Sequence, residues 1–563
     1  MPNILRCLIW TSVVFCFFGW EAITNHGVIG FDGAEIWAFV WGHHWMHESL
    51  SSGSWPYETN LLDYPNGGVL WLKDPIMLVL MHPIRSIFGI QKAVLFSQYL
   101  LFILASCSTF VLTRHHNFSI RLSIFCGLAY AFCPHALGEA YNGNLEAISH
   151  GWLPLWFYFW LRLIKTPSIS LFLYASITLF ALLVSNQYWG IAMSFAGMAT
   201  LPLLKKHTWK NRIFIFSSVL LGGALFTPVA YSIWISLHAP LRINDVTAGS
   251  IPLQVPYLSD INEIFFPMSN QNPTPFQDLI YIGFLIMILS VTSLWSKTKS
   301  WCYFILGWWY VILMLGPFLY WQDSLVLSTQ ETKIRLPWFY LFQNTQGLDW
   351  MTLPHRMAIP ASLFLILSAG YWISQAKWRE WLLPIILLEL WLYPAYHLPL
   401  KSTALLNAEH ATLLRDLPKG GVLNLPINLY SNTQRKFLWY QTIHQNPIAD
   451  HFRYSIYPHI AEKSLFISYS RAITQAPLPT TDTPDPLQIE NLKKEGFAYI
   501  VLHKEFIQEQ LQMSPQVYAQ WMNLYLGEGV ILNDAYLYPL DTRNLRTIIS
   551  SYPSTFTLGL PQP

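Results

Sequence analysis

The residues best suited to chemistry are carboxylic acids in two segments of the chain. Asp32 and Glu35 lie three positions apart, so their carboxylates share one face if this segment is helical. Glu139 and Glu146 lie between two apolar runs. A carboxylate can act as a general base toward an acceptor hydroxyl or amine, which makes these four residues candidate catalytic groups. The alternatives are that Asp32 caps a helix and that the second segment is a solvated loop.

Two cations form a candidate phosphate site. Lys73 stands at the start of one apolar segment, and Arg356 opens another. A guanidinium can hold phosphate in a bidentate way, and an ammonium acts as a point charge. The alternative is ordinary snorkelling of both side chains at a membrane end.

Two histidines raise the question of a metal. His43 and His47 are one helical turn apart, which is the separation used in helical zinc sites. No HExxH pattern accompanies them, and an amphipathic surface is the alternative. A divalent metal is therefore a candidate cofactor, and the sequence indicates no cofactor with certainty.

Composition restricts the elements that must position these residues. Of 563 residues, 53% are hydrophobic and only 11% are charged, against about 25% in soluble proteins. Most of the chain must therefore lie in lipid, while a mean hydropathy of only +0.33 implies that a substantial part lies in water. A net charge of +2 without a long basic run excludes a nucleic-acid partner. The six cysteines contain no CxxC pair, so a disulfide framework is not expected.

Eleven apolar runs approach the length of about 17–25 residues that a membrane-spanning helix needs. They are 4–22, 94–113, 119–134, 152–165, 169–185, 190–204, 213–236, 279–295, 301–320, 357–374 and 381–398. Segment 75–90 is short, contains Pro83 and carries Arg85, so we predict that it lies in the membrane interface. With that choice, the loops rich in Lys and Arg share one side, which the positive-inside rule makes cytoplasmic.

This topology predicts a multi-pass protein of the bacterial cytoplasmic membrane, with its N-terminus in the cytoplasm. Residues 1–398 form the transmembrane domain and residues 399–563 an extracytoplasmic α/β domain. The predicted outer loops are 23–74, 135–151, 237–278 and 321–356. In the tail we predict strands at 420–427 and 497–503, a loop at 477–486, a helix from Ser514-Pro515 to just before Gly527, and a strand pair, GVIL and DAYLYPL.

Two further patterns concern packing. Trp37, Trp41 and Trp45 recur every four residues, which predicts an interfacial helix with an aromatic stripe among lipid headgroups. Glu389 lies well inside a predicted span, where an acid indicates either a function or a buried partner.

Short motifs along nearly the whole chain resemble the GT-C superfamily of polytopic glycosyltransferases. The resemblance is to bacterial members, including YfhO-like and dolichyl-phosphate-mannose-mannosyltransferase-like proteins. Its motifs are the early Asp32, YPNGG (64–68), the Lys-x-Pro at 73–75, AYAFCPH and GWLPLWFYFWLR (within 129–162), SNQYWG (185–190), TLPHRMAIP (352–360), VLNLPI (422–427), YQTIHQNPIAD (440–450) and YIVLHKEF (499–506).

The resemblance implies an inverting transfer of sugar from a polyprenyl-phosphate or polyprenyl-pyrophosphate carrier to a lipid or glycan acceptor on the outer face of the membrane. Asp32 matches the loop acid that serves as general base or orients the acceptor, and Lys73 matches the basic residue that contacts the lipid phosphate. Either Glu139 or Glu146 is the second-loop acid. The tail resembles a domain that helps to select the acceptor, with Gln441, His444 and Asp450 as its polar candidates.

Two other classes of function stay open. A lipid-linked glycan transporter or flippase would need charges deep in several spans and internal symmetry, whereas the sequence shows one deep acid and no repeat. A non-catalytic envelope-glycan assembly protein would keep the fold without a competent acid pair. The WWDxG motif of oligosaccharyltransferases is absent, because Trp308-Trp309 is followed by Tyr310, which argues against glycan transfer to protein.

Overall fold

The computed structural model forms two compact units. The helical unit comprises Met1–Phe31, Lys73–Ala230 and Leu253–Ala404, and the sheet unit comprises Asp32–Leu72, Tyr231–Pro252 and Leu405–Pro563. The residues that the structure describes are 2–32, 35–65, 67–70, 72, 74–200, 202, 207–238, 261, 264, 280–295, 300–321, 324–327, 332–343, 345, 351, 353–392, 398–426, 436–450, 486–511 and 514–541.

The helices follow the apolar runs of the sequence. They are α1 Pro2–Phe18, α2 Trp20–Thr24, α3 Ile36–Ser52, α4 Pro75–His115, α5 Ile120–Ala131, α6 Pro134–Tyr141, α7 Leu145–Ile148, α8 Trp152–Lys165, α9 Ile169–Ser185, α10 Gln187–Ala199, α11 Trp209–His238, α12 Phe284–Thr292, α13 Trp301–Met314, α14 Ala358–Ser374, α15 Leu383–Leu392, α16 Glu409–Asp416, α17 Lys436–His444, α18 Pro486–Lys494, α19 Lys504–Leu511 and α20 Pro515–Leu526. Each of the eleven predicted spans overlaps one of these helices.

Within the described part of the chain, four helices are long and apolar enough to cross a membrane. They are Pro75–His115, Ile120–Tyr141, Trp209–Ser232 and Pro354–Ser374. Shorter apolar helices include Ile169–Ser185 and Trp301–Met314. These helices support a multi-pass membrane protein, while the count of eleven spans stays a prediction.

The longest helix, α4, is two helices that meet at Gly89. This glycine has φ 80° and ψ 171°, outside the helical region, so the chain changes direction there. The break comes at the end of segment 75–90, which the sequence separates from the span 94–113. The interfacial position of the first segment stays a prediction.

Strands are few and concentrate in the sheet unit. They are β1 Val28–Ile29, β2 Glu58–Thr59, β3 Gly68–Val69, β4 Tyr320–Trp321, β5 Ser324–Leu325, β6 Ser402–Thr403, β7 Gly421–Leu425, β8 Phe497–His503, β9 Val530–Ile531 and β10 Ala535–Pro539. The order β7-β8-β10-β9 makes one sheet, in which β7 and β8 are parallel and the other pairs antiparallel. The predicted tail strands and the helix α20 are confirmed. Residues 477–485 of the predicted loop lie outside the described residues, and Pro486 is the first residue of α18.

The sheet continues into the first loop. Residues 447–449 lie beside β7, with hydrogen bonds from Val422 N to Pro447 O and from Ala449 N to Val422 O. On their other side, Ile448 N donates to Leu61 O, and Tyr64 N donates to Ile448 O. Residues 61–64 thus form an added edge of the tail's sheet, so residues 32–72 belong to the same compact unit as the tail.

Tyr64 of the YPNGG motif anchors this edge. A Cβ atom on Gly421 would come within 2.5 Å of the Tyr64 ring, and one on Gly496 would collide with its hydroxyl. The ring also packs edge-on against Phe497, with 5.2 Å between centroids. Two glycines therefore leave the notch that this tyrosine fills.

Candidate active site

Asp32 lies in the sheet unit and is half-exposed. Its Oδ1 accepts a hydrogen bond from Trp37 Nε1 at 3.0 Å, and its Oδ2 lies 3.3 Å from the ammonium of Lys436. The same ammonium lies 3.2 Å from Glu505 and 5.8 Å from the centre of the Trp37 ring. Burial by itself lowers the pKa of Lys436. The negative charges of Asp32 and Glu505 outweigh this effect and raise the pKa above its usual value.

Helix α3 corrects two expectations. It begins at Ile36 with Glu35 as its N-cap residue, and that residue makes no side-chain cap hydrogen bond, so capping by Asp32 was wrong. Trp37 and Trp41 are 1% and 0% exposed, so the stripe does not lie among headgroups. Helical periodicity indicates that an apolar face exists but not what covers it, and here α17 covers it.

Of the histidines of α3, His43 and His44 are buried and His47 is partly buried. His43 is buried and packs edge-on against Phe39, with ring centroids 4.8 Å apart. Among the described residues, no group of three His, Cys, Asp or Glu side chains is placed to hold a metal ion. A metal at His43 and His47 therefore stays a prediction, and the described residues supply no third ligand for it.

The acids of the second loop are buried in the helical unit. Helix α6 begins with Pro134 at its first turn, and its Glu139 carboxylate accepts a hydrogen bond from Asn144 Nδ2 at 2.9 Å. The Nε2 atoms of His135 and His355 each lie 3.7 Å from Glu139 Oε1. One carboxylate thus lies beside two imidazoles, and a solvated loop, the alternative interpretation of this segment, was wrong.

Glu146, on the short helix α7, forms a buried ion pair with Arg356. The guanidinium also lies 5.1 Å from the centre of the Tyr188 ring, and the backbone carbonyl of Arg356 accepts a hydrogen bond from Trp189 at 3.4 Å. Arg356 is 5% exposed, so snorkelling into solvent does not describe it. Its Nε has no hydrogen-bond partner among the described residues.

Asp74 is a further buried acid near this pair. It caps α4, with its Oδ1 accepting from Ser185 Oγ at 2.9 Å and Met77 N at 3.4 Å. Burial raises its pKa to about 6, against the effect of these two hydrogen bonds. Its neighbour Lys73, the predicted phosphate ligand, lies outside the described residues.

The three tail candidates are all buried. Gln441 Oε1 accepts a hydrogen bond from Trp41 Nε1 at 2.8 Å, and His444 Nδ1 accepts from Asn446 N at 2.9 Å. Asp450 accepts from Asn424 Nδ2 at 2.7 Å. Each side chain thus serves the packing of the sheet unit, and a role in acceptor binding stays a prediction.

Glu389 has hydrogen-bond partners that the sequence did not indicate. Its carboxylate accepts hydrogen bonds from the Tyr281 hydroxyl and from the backbone N–H groups of Phe284 and Leu285. These two amides belong to the first turn of α12, where a helix leaves donors unsatisfied and favours negative charge. Glu389 is therefore a helix cap contributed by a neighbouring helix.

Sequence reasoning missed Lys436, His135, His355 and Asp74. Lys436 is 404 residues from Asp32 in sequence, and no local pattern connects them. His135 could have been found from its i, i+4 spacing to Glu139 on a helix.

No protein-family model matches the sequence, and no curated protein matches it significantly. Several solved structures are similar. The mycobacterial arabinofuranosyltransferase AftD matches with a TM-score of 0.53 and 11% identity, over 95% of this chain and 41% of AftD. The oligosaccharyltransferase AglB from Archaeoglobus fulgidus has a TM-score of 0.47 and 12% identity, over 94% of this chain and 72% of AglB. ArnT from Cupriavidus metallidurans has a TM-score of 0.40 and 10% identity, over 99% of both chains. The similarity to AftD shows a shared fold and supports the resemblance to GT-C glycosyltransferases at that level alone.

Proposed function

We propose that the protein is a membrane glycosyltransferase that moves a sugar from a polyprenyl-phosphate-linked donor to an extracytoplasmic lipid or glycan acceptor. The observation that carries the proposal is the buried guanidinium of Arg356 where an apolar helix begins, in a chain with the fold of a glycosyltransferase. Glu146 offsets part of the cost of burying this cation, and the Nε of Arg356 still lacks a hydrogen-bond partner among the described residues.

Arg356 is the proposed phosphate ligand. A guanidinium has five N–H donors, and Glu146 engages one of its terminal nitrogens. The pair keeps the buried cation charged and oriented. The Nε, which lacks a partner among the described residues, is a donor available to a phosphate oxygen. Lys73 is kept as the second proposed cation on the family resemblance alone.

The two acids of the second loop receive different roles. Glu146 is committed to Arg356 and serves as its counter-ion. Glu139 accepts a hydrogen bond from Asn144, and its Oε1 lies 3.7 Å from the Nε2 atoms of His135 and His355, so its contacts differ from the ion pair of Glu146. We therefore assign the chemical role in this loop to Glu139.

Asp32 is the proposed general base, supported by the family resemblance and by its exposure. The acceptor oxygen attacks the anomeric carbon while the bond from that carbon to the phosphate oxygen breaks. The acceptor proton passes to the Asp32 carboxylate, and the electron pair leaves with the lipid phosphate. A single displacement of this kind inverts the anomeric configuration.

The proposed orientation places the transfer on the outer face of the bacterial cytoplasmic membrane. Five exposed tryptophans flank the loops that carry Lys and Arg: Trp209, Trp295, Trp301, Trp378 and Trp381. Tryptophan favours membrane interfaces, and an excess of cations favours the cytoplasmic side. The tryptophans support a position of these loops at a membrane interface, and the cations support the cytoplasmic side.

Purified protein in liposomes with a panel of polyprenyl-phosphate sugars and envelope lipids tests the proposal. We expect sugar transfer, with a rate lowered roughly 100-fold or more in Asp32→Asn and in Glu139→Gln. Glu490→Gln, at an exposed ion pair of the sheet unit, is the matched control and should keep the wild-type rate. Undiminished transfer by Asp32→Asn would show the assigned base to be wrong. Movement of the donor across the bilayer without transfer would favour the flippase.

A further inference from the structure

Lys436 is held beside Asp32 by buried contacts between two helices. It is the first residue of α17, and this helix packs against α3. The rings of Trp37 and Trp439 stack with centroids 6.4 Å apart. Trp41 donates to Gln441 from the same pair of helices. The positions of the ammonium and of the Trp37 indole are therefore fixed together.

A cation at this place gains nothing from its own helix. The N-terminus of a helix carries partial positive charge, so the macrodipole of α17 disfavours Lys436. The compensation comes from Asp32 and Glu505, whose carboxylates lie 3.3 and 3.2 Å from the ammonium. The side chain of Lys436 is 18% exposed, so these contacts are screened less than a surface pair.

We propose that Lys436 is a positioning residue for the proposed base, with Glu505 as the second acceptor of its charge. This inference rests on the proposed function. Trp37 fixes one oxygen of Asp32 and Lys436 the other, so the carboxylate keeps one orientation toward the acceptor. When Asp32 takes the acceptor proton and loses its charge, Lys436 keeps its ion pair with Glu505.

Steady-state kinetics of four variants test this role. Lys436→Met should lower kcat about 10- to 100-fold through misplacement of the base, with the acceptor KM within about threefold of wild type. Lys436→Arg should restore most of kcat. Glu505→Gln should lower kcat severalfold, because the ammonium then acts fully on Asp32. The double variant Lys436→Met with Glu505→Gln should have a kcat no lower than that of Lys436→Met, because both changes act through the contact between Lys436 and Asp32.

The controls use a second ion pair of the same unit. Lys493 and Glu490 lie 3.1 Å apart on the surface, and Lys493→Met should leave kcat unchanged. A kcat within twofold of wild type in Lys436→Met, or multiplied losses in the double variant, overturns the inference. If Lys436→Met fails to fold, Lys436→Arg and Glu505→Gln still decide the matter.

Carbodiimide labelling of carboxylates gives a readout that does not need activity. In wild-type protein, the contact with Lys436 should protect Asp32, and Lys436→Met should increase its labelling severalfold, whereas labelling of Glu58 should not change. Equal labelling of Asp32 in wild type and in Lys436→Met would contradict the inferred contact between Asp32 and Lys436. Absence of transfer by wild type would instead count against the proposed function, while the labelling still tests the contact.

Discussion

The guanidinium of Arg356 is held by a carboxylate, an aromatic face and its own helix turn. Glu146 supplies the charge and Tyr188 the ring, and residues 354–357 form a single 3₁₀ turn before α14. Because the pair is buried, loss of one partner costs more than loss of both. A single and a double variant of the pair can therefore separate its contribution to stability from its contribution to phosphate binding.

Arg356→Met should destabilise the protein by about 3–5 kcal/mol, since Glu146 would stay as an uncompensated buried charge. Arg356→Met combined with Glu146→Met should recover stability, measured by thermal unfolding in detergent, but not sugar transfer. Arg356→Lys should keep the charge and raise the donor KM, because an ammonium cannot bind phosphate in a bidentate way. Transfer at the wild-type rate by the double variant would contradict the phosphate role.

At the residue scale, the sequence predicted the acids and Arg356 but not their pairing. Glu139 and Glu146 were equivalent in the sequence, because residue type and loop position are the same for both. Their difference depends on His355 and Arg356, which come from a helix more than two hundred residues later. Such contacts are set by packing, which local spacing does not report.

At the scale of elements, Tyr64 secures the edge formed by residues 61–64. Its ring occupies a notch that exists because Gly421 and Gly496 lack side chains. Gly496 also has φ +91°, a conformation that L side chains rarely adopt. The YPNGG motif therefore has a packing role in addition to its turn.

Tyr64→Ala should destabilise the sheet unit by roughly 2–4 kcal/mol, because a large ring leaves a cavity between two strands. Tyr64→Phe keeps the ring and should cost less than about 1 kcal/mol. Thermal unfolding of both variants measures the difference. Equal stability of wild type and Tyr64→Ala would mean that the ring contributes nothing to this edge.

The elements themselves were largely predictable. Period and length indicated the helices, and short apolar runs beside turns indicated β7, β8 and β10. The pairing of residues 61–64 with 448–450 was not predictable, because strand partners distant in sequence leave no local signal. Helix α3 was predicted, but its aromatic face packs against α17 rather than lipid.

At the scale of the whole molecule, buried titratable groups make stability depend on pH. Burial raises the pKa of Asp450 to about 8, although a hydrogen bond from Asn424 opposes the shift. Burial, followed by the charge of Asp450, raises the pKa of Asp63 well above its usual value. Burial lowers the pKa of His444 and His503, so these two groups change the free energy of unfolding mainly below pH 6.5.

Between about pH 4 and pH 8, folded Asp450 keeps a proton that the unfolded chain has released. The free energy of unfolding therefore falls as pH rises through this window. We expect Asp450 alone to contribute a loss of about 1 kcal/mol between pH 7 and 8, so the free energy of unfolding should fall less in Asp450→Asn than in the wild type. Unfolding scans across this range measure both slopes. A steeper fall in Asp450→Asn than in the wild type would contradict the assignment.

The edge formed by residues 61–64 also has a consequence for biosynthesis. Trp41 and Gln441, in the same unit, are separated by 400 residues. At about 5–20 residues per second, the first loop is made roughly 20 to 80 s before its partners. Throughout that interval the Trp41 indole and the backbone groups of residues 61–64 lack their partners in the tail. The first loop can reach its final structure only after the ribosome has made residues 448–450, which pair with residues 61–64.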